Sequence, residues 1–256
     1  MSTLVFDIET VPDVEAGRRL YHLDDLSDPD VAAALSSIRR EKTGNDFLPH
    51  YLQKVVAISL VLSQDNQIKV WSLGNETSDE PDLIERFFRG VEKYQPTLVS
   101  WNGQGFDLPV LHYRSLIHGI PAPLYWENGD KQQPFRWNNY LNRFHYRHLD
   151  LMDVLAGYQN KAFAPLDDIA VLLGLPGKMG MSGNAVWHQY CEGNIKGIRD
   201  YCETDVLNTY CVYLRFELIR GILTHDEYEQ AISTVRDYLQ QESHRPHLQS
   251  FLQKFS

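Results

Sequence analysis

Two acidic residues, Asp7 and Glu9, are the first in the chain whose types and spacing could do chemistry. Apolar residues alternate with others over residues 4–10, which is the two-residue period of a β-strand, so both carboxylates project from one face. Neighbouring carboxylates on a core strand repel each other and resist desolvation, and a bound cation compensates both effects. Oxygen ligands favour a hard ion such as Mg²⁺ or Mn²⁺. The alternative is an edge strand with a solvated acidic face, and further carboxylates must decide between the two.

A third carboxylate, Asp107, follows a predicted strand over residues 97–101 and a turn that contains two glycines. Glycine allows the sharp turn, and Pro109 suits the first turn of a helix that continues to residue 117. The sequence therefore places a carboxylate where a strand gives way to a helix. Asp107 also occupies the position of a helix N-cap, and on this motif alone the capping role is favoured.

Two further groups of polar residues lie later in the chain. A long helix is predicted over residues 195–218, and it carries Tyr201 and Asp205 four positions apart on one face. Asp150 belongs to a short predicted strand, ahead of a helix that Asp153 would cap. Asp150 is therefore interpreted either as a carboxylate beside the substrate or as a plain cap.

Together these motifs resemble those of the DEDD superfamily of 3′–5′ exonucleases, in the tyrosine subtype seen in the proofreading domains of family-B DNA polymerases. The first motif is matched by Asp7 and Glu9, the second by residues 102–109, and the third by Tyr201 and Asp205. The histidine subtype is disfavoured, because Asp200 stands where that subtype would have its histidine.

The resemblance covers about residues 4–220, and residues 186–215 look like stand-alone bacterial proteins similar to the polymerase-B exonuclease. The chain departs from the pattern in its tail and in the loop over residues 175–183. We expect that no polymerase domain fits in the remaining residues.

The resemblance implies metal-dependent hydrolysis of phosphodiester bonds by two ions, Mg²⁺ or Mn²⁺, roughly 3.5–4 Å apart. Asp7 would bridge the ions, Glu9 and Asp205 would complete one site, and Asp107 would support the other ion. A free phenol has a pKa of about 10. Tyr201 is therefore expected to orient the attacking water or the scissile phosphate rather than to act as a base.

Four residues are predicted on the substrate side of the site, namely Thr10, Asn102, Phe106 and Asp150. Asn102 and Phe106 would hold the terminal nucleotide by a hydrogen bond and by packing, and Thr10 would contact the terminal 3′ sugar. The alternatives are structural: Asn102 stabilises the turn, and Phe106, for which this alternative is favoured, fills the core.

The other elements complete an α/β, ribonuclease-H-like fold with a mixed sheet flanked by helices. Two strands, over residues 55–62 and 68–73, form an antiparallel pair that joins the first strand in one sheet. Helices are predicted over residues 31–40, 80–95, 165–173 and 185–191, and residues 226–256 form two polar helices or one broken at Pro246. We expect a single exonuclease domain over residues 1–256, with a core at about residues 4–220 and a helical tail over residues 221–256.

Composition limits the class of protein. The chain has 256 residues, of which 43% are hydrophobic, and this is enough for one large domain. A net charge of −10 argues against broad electrostatic attraction to nucleic acid, so a polyanion must be held by a local patch or a metal. Residues 131–149 contain no acidic residue and interleave cations with aromatic rings. Such a stretch either binds phosphates with its cations and stacks bases on its rings, or fills the core with those rings. The sequence leaves both alternatives open.

The expected compartment is the cytoplasm. The three cysteines have no paired spacing, which fits reduced thiols in the core, and no apolar stretch is long enough to span a bilayer. We therefore predict a cytoplasmic protein without a membrane partner. The sequence identifies no protein partner.

The leading hypothesis is a metal-dependent exonuclease that trims single-stranded 3′ ends, of DNA in preference to RNA. The alternatives are a ribonuclease on the same fold, a nucleic-acid-binding module with an idle site, and a structural cation-binding domain. The idle module is disfavoured, because acids that face a phosphate backbone weaken binding unless they hold a metal.

Overall fold

A computed structural model describes residues 2–181 and 183–255. Over these ranges five strands form one sheet, and they are β1 (Thr3–Pro12), β2 (Gln53–Gln64), β3 (Gln67–Ser72), β4 (Thr97–Ser100) and β5 (His148–Asp150). Their order is β3-β2-β1-β4-β5; β2 is antiparallel to both β1 and β3, and β4 is parallel to both β1 and β5. This mixed sheet confirms the predicted α/β class and the predicted antiparallel pair.

Helices cover both faces of the sheet. The helices of the described ranges are α1 (Val14–Tyr21), α2 (Asp28–Thr43), α3 (Glu80–Tyr94), α4 (Asp107–His118), α5 (Leu151–Leu155), α6 (Leu166–Leu172), α7 (Gly183–Cys191), α8 (Ile195–Ile219), α9 (His225–Gln241) and α10 (Pro246–Lys254). Within the described ranges, no helix is both long enough and apolar enough to cross a membrane.

The first two helices differ from the prediction. The helix predicted over residues 31–40 is longer at both ends, because Ser27 caps its first turn and Gly44 ends it in a left-handed conformation. The sequence analysis did not predict α1, which is only eight residues long and begins two positions after β1 ends. Asp13 caps α1 through the backbone N–H of Ala16, and Gly17 of α1 lies so close to α2 that a Cβ there would meet the Leu35 side chain at 2.9 Å.

The alternation of side chains along β1 separates two parts of the core. Leu4, Phe6 and Ile8 pack in one cluster with apolar residues of α3 and α4. Val5 faces the opposite way and packs in a second cluster with residues of α8, α9 and α10. Because the two faces of a strand alternate, Asp7 and Glu9 must face α8.

The C-terminal tail packs against α8 and the sheet. The hydroxyl of Tyr238 on α9 accepts from the N–H of Val70 at 3.0 Å and donates to the carbonyl of Val70 at 3.2 Å. Arg245 bonds Glu203 of α8, and the Glu203 carboxylate also bonds His247 of α10 at 2.7 Å. The tail is thus two helices fixed to the helix that carries Tyr201 and Asp205.

A buried ion cluster joins the end of β1 to α3 and α4. Arg114 of α4 is 3% exposed, and its guanidinium bonds Asp13 at 2.5 Å and both carboxylate oxygens of Glu80 at 2.8 and 2.5 Å. Asp13 directly follows β1, and Glu80 is the first residue of α3. Arg114 therefore fixes α4, which begins at Asp107, relative to the strand that carries Asp7 and Glu9.

Candidate active site

The carboxylates of β1 lie against α8. Asp7, Glu9 and Cys202 of α8 each offer one ligand atom, and the three atoms lie within 4.8 Å of one another. Tyr201 and Asp205, 5% and 8% exposed, project from the same part of α8. The four-residue spacing on the helix and the two-residue spacing on the strand therefore bring four polar groups to one point between the sheet and α8.

Asp107 does not cap α4, although its local motif favours that role. The N-cap of α4 is Phe106, and Asp107 is the first residue of the helix. Its carboxylate accepts the backbone N–H of Ile8 at 3.1 Å, between the two β1 acids. The paired residues of β1 and β4 end at Val5, so β4 leaves this N–H unpaired and the Asp107 carboxylate satisfies it. The capping interpretation was wrong, and Asp107 belongs to the same acidic cluster.

The turn between β4 and α4 depends on its glycines and on hydrogen bonds to the carboxylate of Asp150. Asn102 has a left-handed backbone with φ 63°, and a Cβ on Gly103 would lie 2.2 Å from the Ser100 hydroxyl. The Asp150 carboxylate accepts from the N–H of Asn102 at 2.9 Å and of Gln104 at 2.8 Å. Because these bonds hold the turn, they also set the position of Asp107 at its end.

Asp150 also caps α5, where the sequence analysis placed Asp153. Its carboxylate accepts from the N–H groups of Met152 and Asp153. Asp153 lies inside the helix, and its carboxylate bonds Arg143 at 2.8 Å. The prediction of Asp153 as the cap was wrong, because β5 ends at Asp150 and α5 begins at the next residue.

Burial raises the pKa values of all four carboxylates. Burial raises the pKa of Asp107 to about 7 and that of Asp205 to about 6. Burial also holds the pKa values of Asp7 and Glu9 well above their usual range, and repulsion from the other acids of the site adds to it. Lys178 is the cation that lowers the pKa values of Glu9 and Asp205. One lysine cannot neutralise four carboxylates, so the cluster is short of positive charge.

Burial, followed by the charges of Asp205 and Glu9, raises the pKa of Tyr201 far above that of a free phenol. The phenol therefore stays protonated at neutral pH. Its hydrogen bond to Asp205 lowers the pKa of that carboxyl. Tyr201 is thus a hydrogen-bond donor and not a base.

The residues present fit a divalent cation. The Oδ1 atom of Asp205 is buried and has no hydrogen-bond partner among the described residues. This oxygen lies in a cluster with three other carboxyls whose pKa values are raised. A buried carboxylate oxygen without a donor, in such surroundings, belongs to a donor set that a hard cation would complete.

Two residues of the site were missed by the sequence analysis. Cys202 was interpreted as a core or bystander thiol, but its Sγ lies 3.5 Å from both the carbonyl oxygen and Oδ2 of Asp7. Burial raises the pKa of Cys202 well above its usual value, so the thiol is a weak donor that orients Asp7. The signal in the sequence that could have identified Cys202 was its position directly after Tyr201. Lys178 lies in the loop over residues 175–183, and nothing in the neighbouring sequence connected it to the acids.

Three of the four predicted substrate-side residues share a cavity with Glu9. Thr10, Asn102 and Phe106 line a cavity of about 780 Å³ between the site and α2. Phe47 and Trp187 line it as well, and the rings of Phe47 and Phe106 lie 5.6 Å apart. Asp150 does not line this cavity and instead holds the turn from behind.

The comparisons with known proteins agree with this geometry. Residues 45–255 match the model of a family described as a predicted 3′–5′ exonuclease related to the exonuclease domain of PolB. The chain belongs to this family. The match includes Asp107, Tyr201, Asp205 and the tail over residues 221–255, and it begins after β1. The predicted resemblance to the polymerase-B exonuclease is thereby confirmed, and so is the assignment to a family of enzymes.

Two polymerases are similar to the chain over part of their length. The catalytic polypeptide of DNA polymerase epsilon from Saccharomyces cerevisiae is 46% identical over 44 residues, which are 17% of this chain and 2% of that protein. The family B DNA polymerase from the hyperthermophilic archaeon Pyrobaculum calidifontis superposes with a TM-score of 0.51 at 16% identity, over 96% of this chain and 29% of that one. This superposition confirms the predicted ribonuclease-H-like fold. The chain thus spans only a small part of each polymerase.

A divalent cation should stabilise this PolB-related exonuclease more at high pH than at low pH. Folding raises the pKa of Asp107 to about 7 and that of Asp205 to about 6, so the folded metal-free protein binds extra protons and loses stability as pH rises through this range. A metal ion replaces those protons. We expect thermal unfolding to show a small midpoint shift on adding Mg²⁺ or Mn²⁺ at pH 5.5 and a large one at pH 7.5.

Comparing thermal unfolding with and without metal at each pH cancels the contributions of the other titrating groups. Burial lowers the pKa of His112 to about 4 and that of His148 to about 3, and these histidines destabilise the protein as pH falls below about 6.5. Their effect is the same with and without metal and cancels in the shift. Equal metal-induced shifts at both pH values would contradict the prediction.

Proposed function

We propose that the chain is a divalent-metal-dependent 3′–5′ exonuclease that trims single-stranded nucleic acid, DNA in preference to RNA. The observation that carries the proposal is the convergence of Asp7, Glu9, Asp107 and Asp205 with Tyr201, from β1, α4 and α8. Acids at this density repel a phosphate backbone unless cations lie between them. The membership in a family of predicted exonucleases supports the same function.

The substrate side of the proposal rests on the cavity beside Glu9. Ligand pockets usually enclose about 300–1,000 Å³, and a cavity of about 780 Å³ has room for one nucleotide. Phe106 is half-buried and offers part of its ring to the cavity, and Asn102 offers an amide from the turn. The Thr10 hydroxyl donates to the Gln53 side chain at 2.9 Å, so Thr10 would meet the sugar through its remaining lone pairs or backbone. We assign the terminal nucleotide to this cavity.

The chemistry divides between the acids and the phenol. Asp7, Glu9, Asp107 and Asp205 would hold two ions, Mg²⁺ or Mn²⁺, which activate water and stabilise charge on the phosphate. Asp107 is pinned to β1 through the N–H of Ile8, so its carboxylate meets the β1 acids without rearrangement. Tyr201 keeps its proton and donates a hydrogen bond, through which it orients Asp205 and the attacking water or scissile phosphate.

Replacing Tyr201 with phenylalanine is expected to lower kcat by about 10- to 100-fold, because a hydrogen bond to a charged group contributes about 1.5–3 kcal/mol. The ring is buried, so Phe preserves the packing of α8. KM for a single-stranded oligonucleotide should change little. The matched control is Tyr213→Phe on the same helix, because the Tyr213 hydroxyl contacts Thr3 at 3.5 Å and lies outside the acidic cluster. Undiminished turnover of Tyr201→Phe would remove the role given to Tyr201.

The test of the function uses purified protein and 5′-labelled single-stranded DNA and RNA of one sequence. With Mg²⁺ or Mn²⁺ we expect a ladder that shortens from the 3′ end, and with a chelator no cleavage. A faster reaction on RNA would make the protein a ribonuclease on the same fold. Intact substrates with retained binding would instead identify an idle binding module.

We further propose that residues 1–256 form one exonuclease domain. The support is the second core cluster, in which Val5 of β1 packs together with Val235 of α9 and Phe251 of α10. A tail that shares a core with the central strand is part of the domain and not a separate module.

A further inference from the structure

The aromatic and basic stretch over residues 131–149 divides into buried and exposed rings. Phe135 and Tyr140 are each 1% exposed and fill the core. Trp137, Phe144 and Tyr146 are 77%, 63% and 59% exposed. The core interpretation therefore holds for Phe135 and Tyr140, and the exposed rings need an explanation other than packing.

Guanidinium groups lie against the exposed rings of Phe144 and Tyr146 and against the neighbouring ring of Tyr158. Arg143 lies over Phe144 at 5.9 Å and over Tyr158 at 5.2 Å, and the rings of Phe144 and Tyr158 lie 4.8 Å apart. Arg220, which follows α8, lies over Tyr146 at 5.2 Å. We call the group the aromatic–basic surface and define it as Arg136, Trp137, Arg143, Phe144, Tyr146, Arg147, Tyr158 and Arg220.

The charge of this surface is positive in a chain of net charge −10. Two of its arginines form ion pairs, since Asp153 pairs with Arg143 at 2.8 Å and Glu217 pairs with Arg220 at 2.9 Å. Arg136 and Arg147 pair with no carboxylate of the described ranges. Local excess of cations beside exposed rings fits a polyanion that also carries flat, apolar faces.

Arg220 and Tyr146 of this surface lie beyond the C-terminal end of α8, away from the acidic cluster. Asp205 belongs to the cluster and Arg220 to the surface, and their separation of 15 positions corresponds to about 22 Å along a helix. None of the residues of the surface lines the cavity beside Glu9. A ligand that contacts both Arg220 and the acidic cluster must therefore be extended.

We propose that the aromatic–basic surface binds the 5′-ward part of the single strand whose 3′-terminal nucleotide occupies the active site. The proposal rests on the proposed function for the position of the 3′ end. Stacking on rings is tolerant of sequence because every base has a π-face, and the arginines would contact the phosphates between stacked bases. The surface would retain the strand while its end is trimmed.

The test compares a long substrate with one too short to reach the surface. The variant Trp137→Ala/Phe144→Ala removes two exposed rings, and the control Leu116→Ala/Leu172→Ala removes two apolar side chains that are 79% and 81% exposed elsewhere. Binding of 5′-fluorescein-labelled dT20 is measured by anisotropy in chelator. Turnover of the p-nitrophenyl ester of thymidine 5′-monophosphate is measured with Mn²⁺.

We expect the ring variant to bind dT20 at least about 30-fold more weakly than wild type, because base stacking contributes about 1–3 kcal/mol on each of the two rings removed. Its turnover of the short ester should equal that of wild type, and the control variant should match wild type in both assays. Arg136→Ala should weaken dT20 binding. It should also make the slope of log K against log salt concentration shallower by about 0.7, the value for the loss of one phosphate contact with a single strand.

Two results would overturn the proposal: unchanged dT20 affinity in the ring variant, or an equal loss on dT20 and on the short ester. The first would show that the surface does not hold a strand, and the second that the substitutions act through the active site. Failure of the proposed function would be distinguished by the wild-type protein, which would then hydrolyse neither dT20 nor the ester. The anisotropy arm would still measure whether the surface binds the strand.

Discussion

Asp7→Asn is expected to lower 3′–5′ exonuclease activity by about 10³-fold or more while the fold is kept. Asp7 lies among the other acids of the cluster, since burial and then the charges of Asp107, Glu9 and Asp205 raise its pKa. Asparagine has the same shape but lacks the negative charge with which a cation is held. Loss of about 4 kcal/mol of metal-dependent stabilisation of the transition state corresponds to this factor.

The same substitution should stabilise the metal-free protein. Removing one of four crowded carboxylates relieves repulsion, and Asn can still accept the weak hydrogen bond that Cys202 gives to Oδ2 of Asp7. We therefore expect a higher thermal midpoint than wild type in chelator and little further rise on adding Mn²⁺. Loss of activity together with gain of stability separates a catalytic effect from misfolding.

The matched control is Asp200→Asn. Asp200 is on α8 directly before Tyr201, but it pairs with Lys196 and lies 3.2 Å from His247, outside the acidic cluster. Its loss should leave turnover within about twofold of wild type, as is usual for charges away from the reacting atoms. An active Asp7→Asn variant, or an inactive Asp200→Asn variant, would show that the cluster is not the catalytic site.

The elements with a clear local pattern could be predicted from the sequence. The alternation along β1 placed Asp7 and Glu9 on one face, and the spacing on α8 placed Tyr201 and Asp205 together. These predictions depend only on the periods of strands and helices. The face of β1 that meets α8 follows from them once the fold class is known.

The parts that failed depend on contacts between distant segments. Asp107 looked like a cap because the sequence does not show that β4 diverges from β1 and leaves the N–H of Ile8 unpaired, 99 positions away. Asp150 holds the turn at Asn102 for the same kind of reason. Cys202 was overlooked because a thiol acquires its role from the carboxylate that it faces and not from its neighbours in sequence.

Arg114→Met is expected to have the largest effect on stability, about 3–5 kcal/mol in the free energy of unfolding. The side chains of Arg114, Asp13 and Glu80 are 3%, 7% and 3% exposed, so Met would leave two carboxylates buried without the guanidinium. Breaking a buried ion pair by removing one partner costs about this much, because the remaining charges are not solvated. The loss is a large fraction of the roughly 5–15 kcal/mol that holds a typical domain together.

The control is Arg86→Met, on the surface of α3. Arg86 pairs with Asp82 at 2.8 Å, but the two side chains are 51% and 35% exposed, and such pairs contribute about 0–1 kcal/mol. Urea unfolding of both variants measures the difference directly. Because Arg114 ties α4, and with it Asp107, to the end of β1, the folded fraction of Arg114→Met should also lose activity. A free energy of unfolding within about 1 kcal/mol of wild type would show that Asp13 and Glu80 find other partners and that this cluster does not position the site.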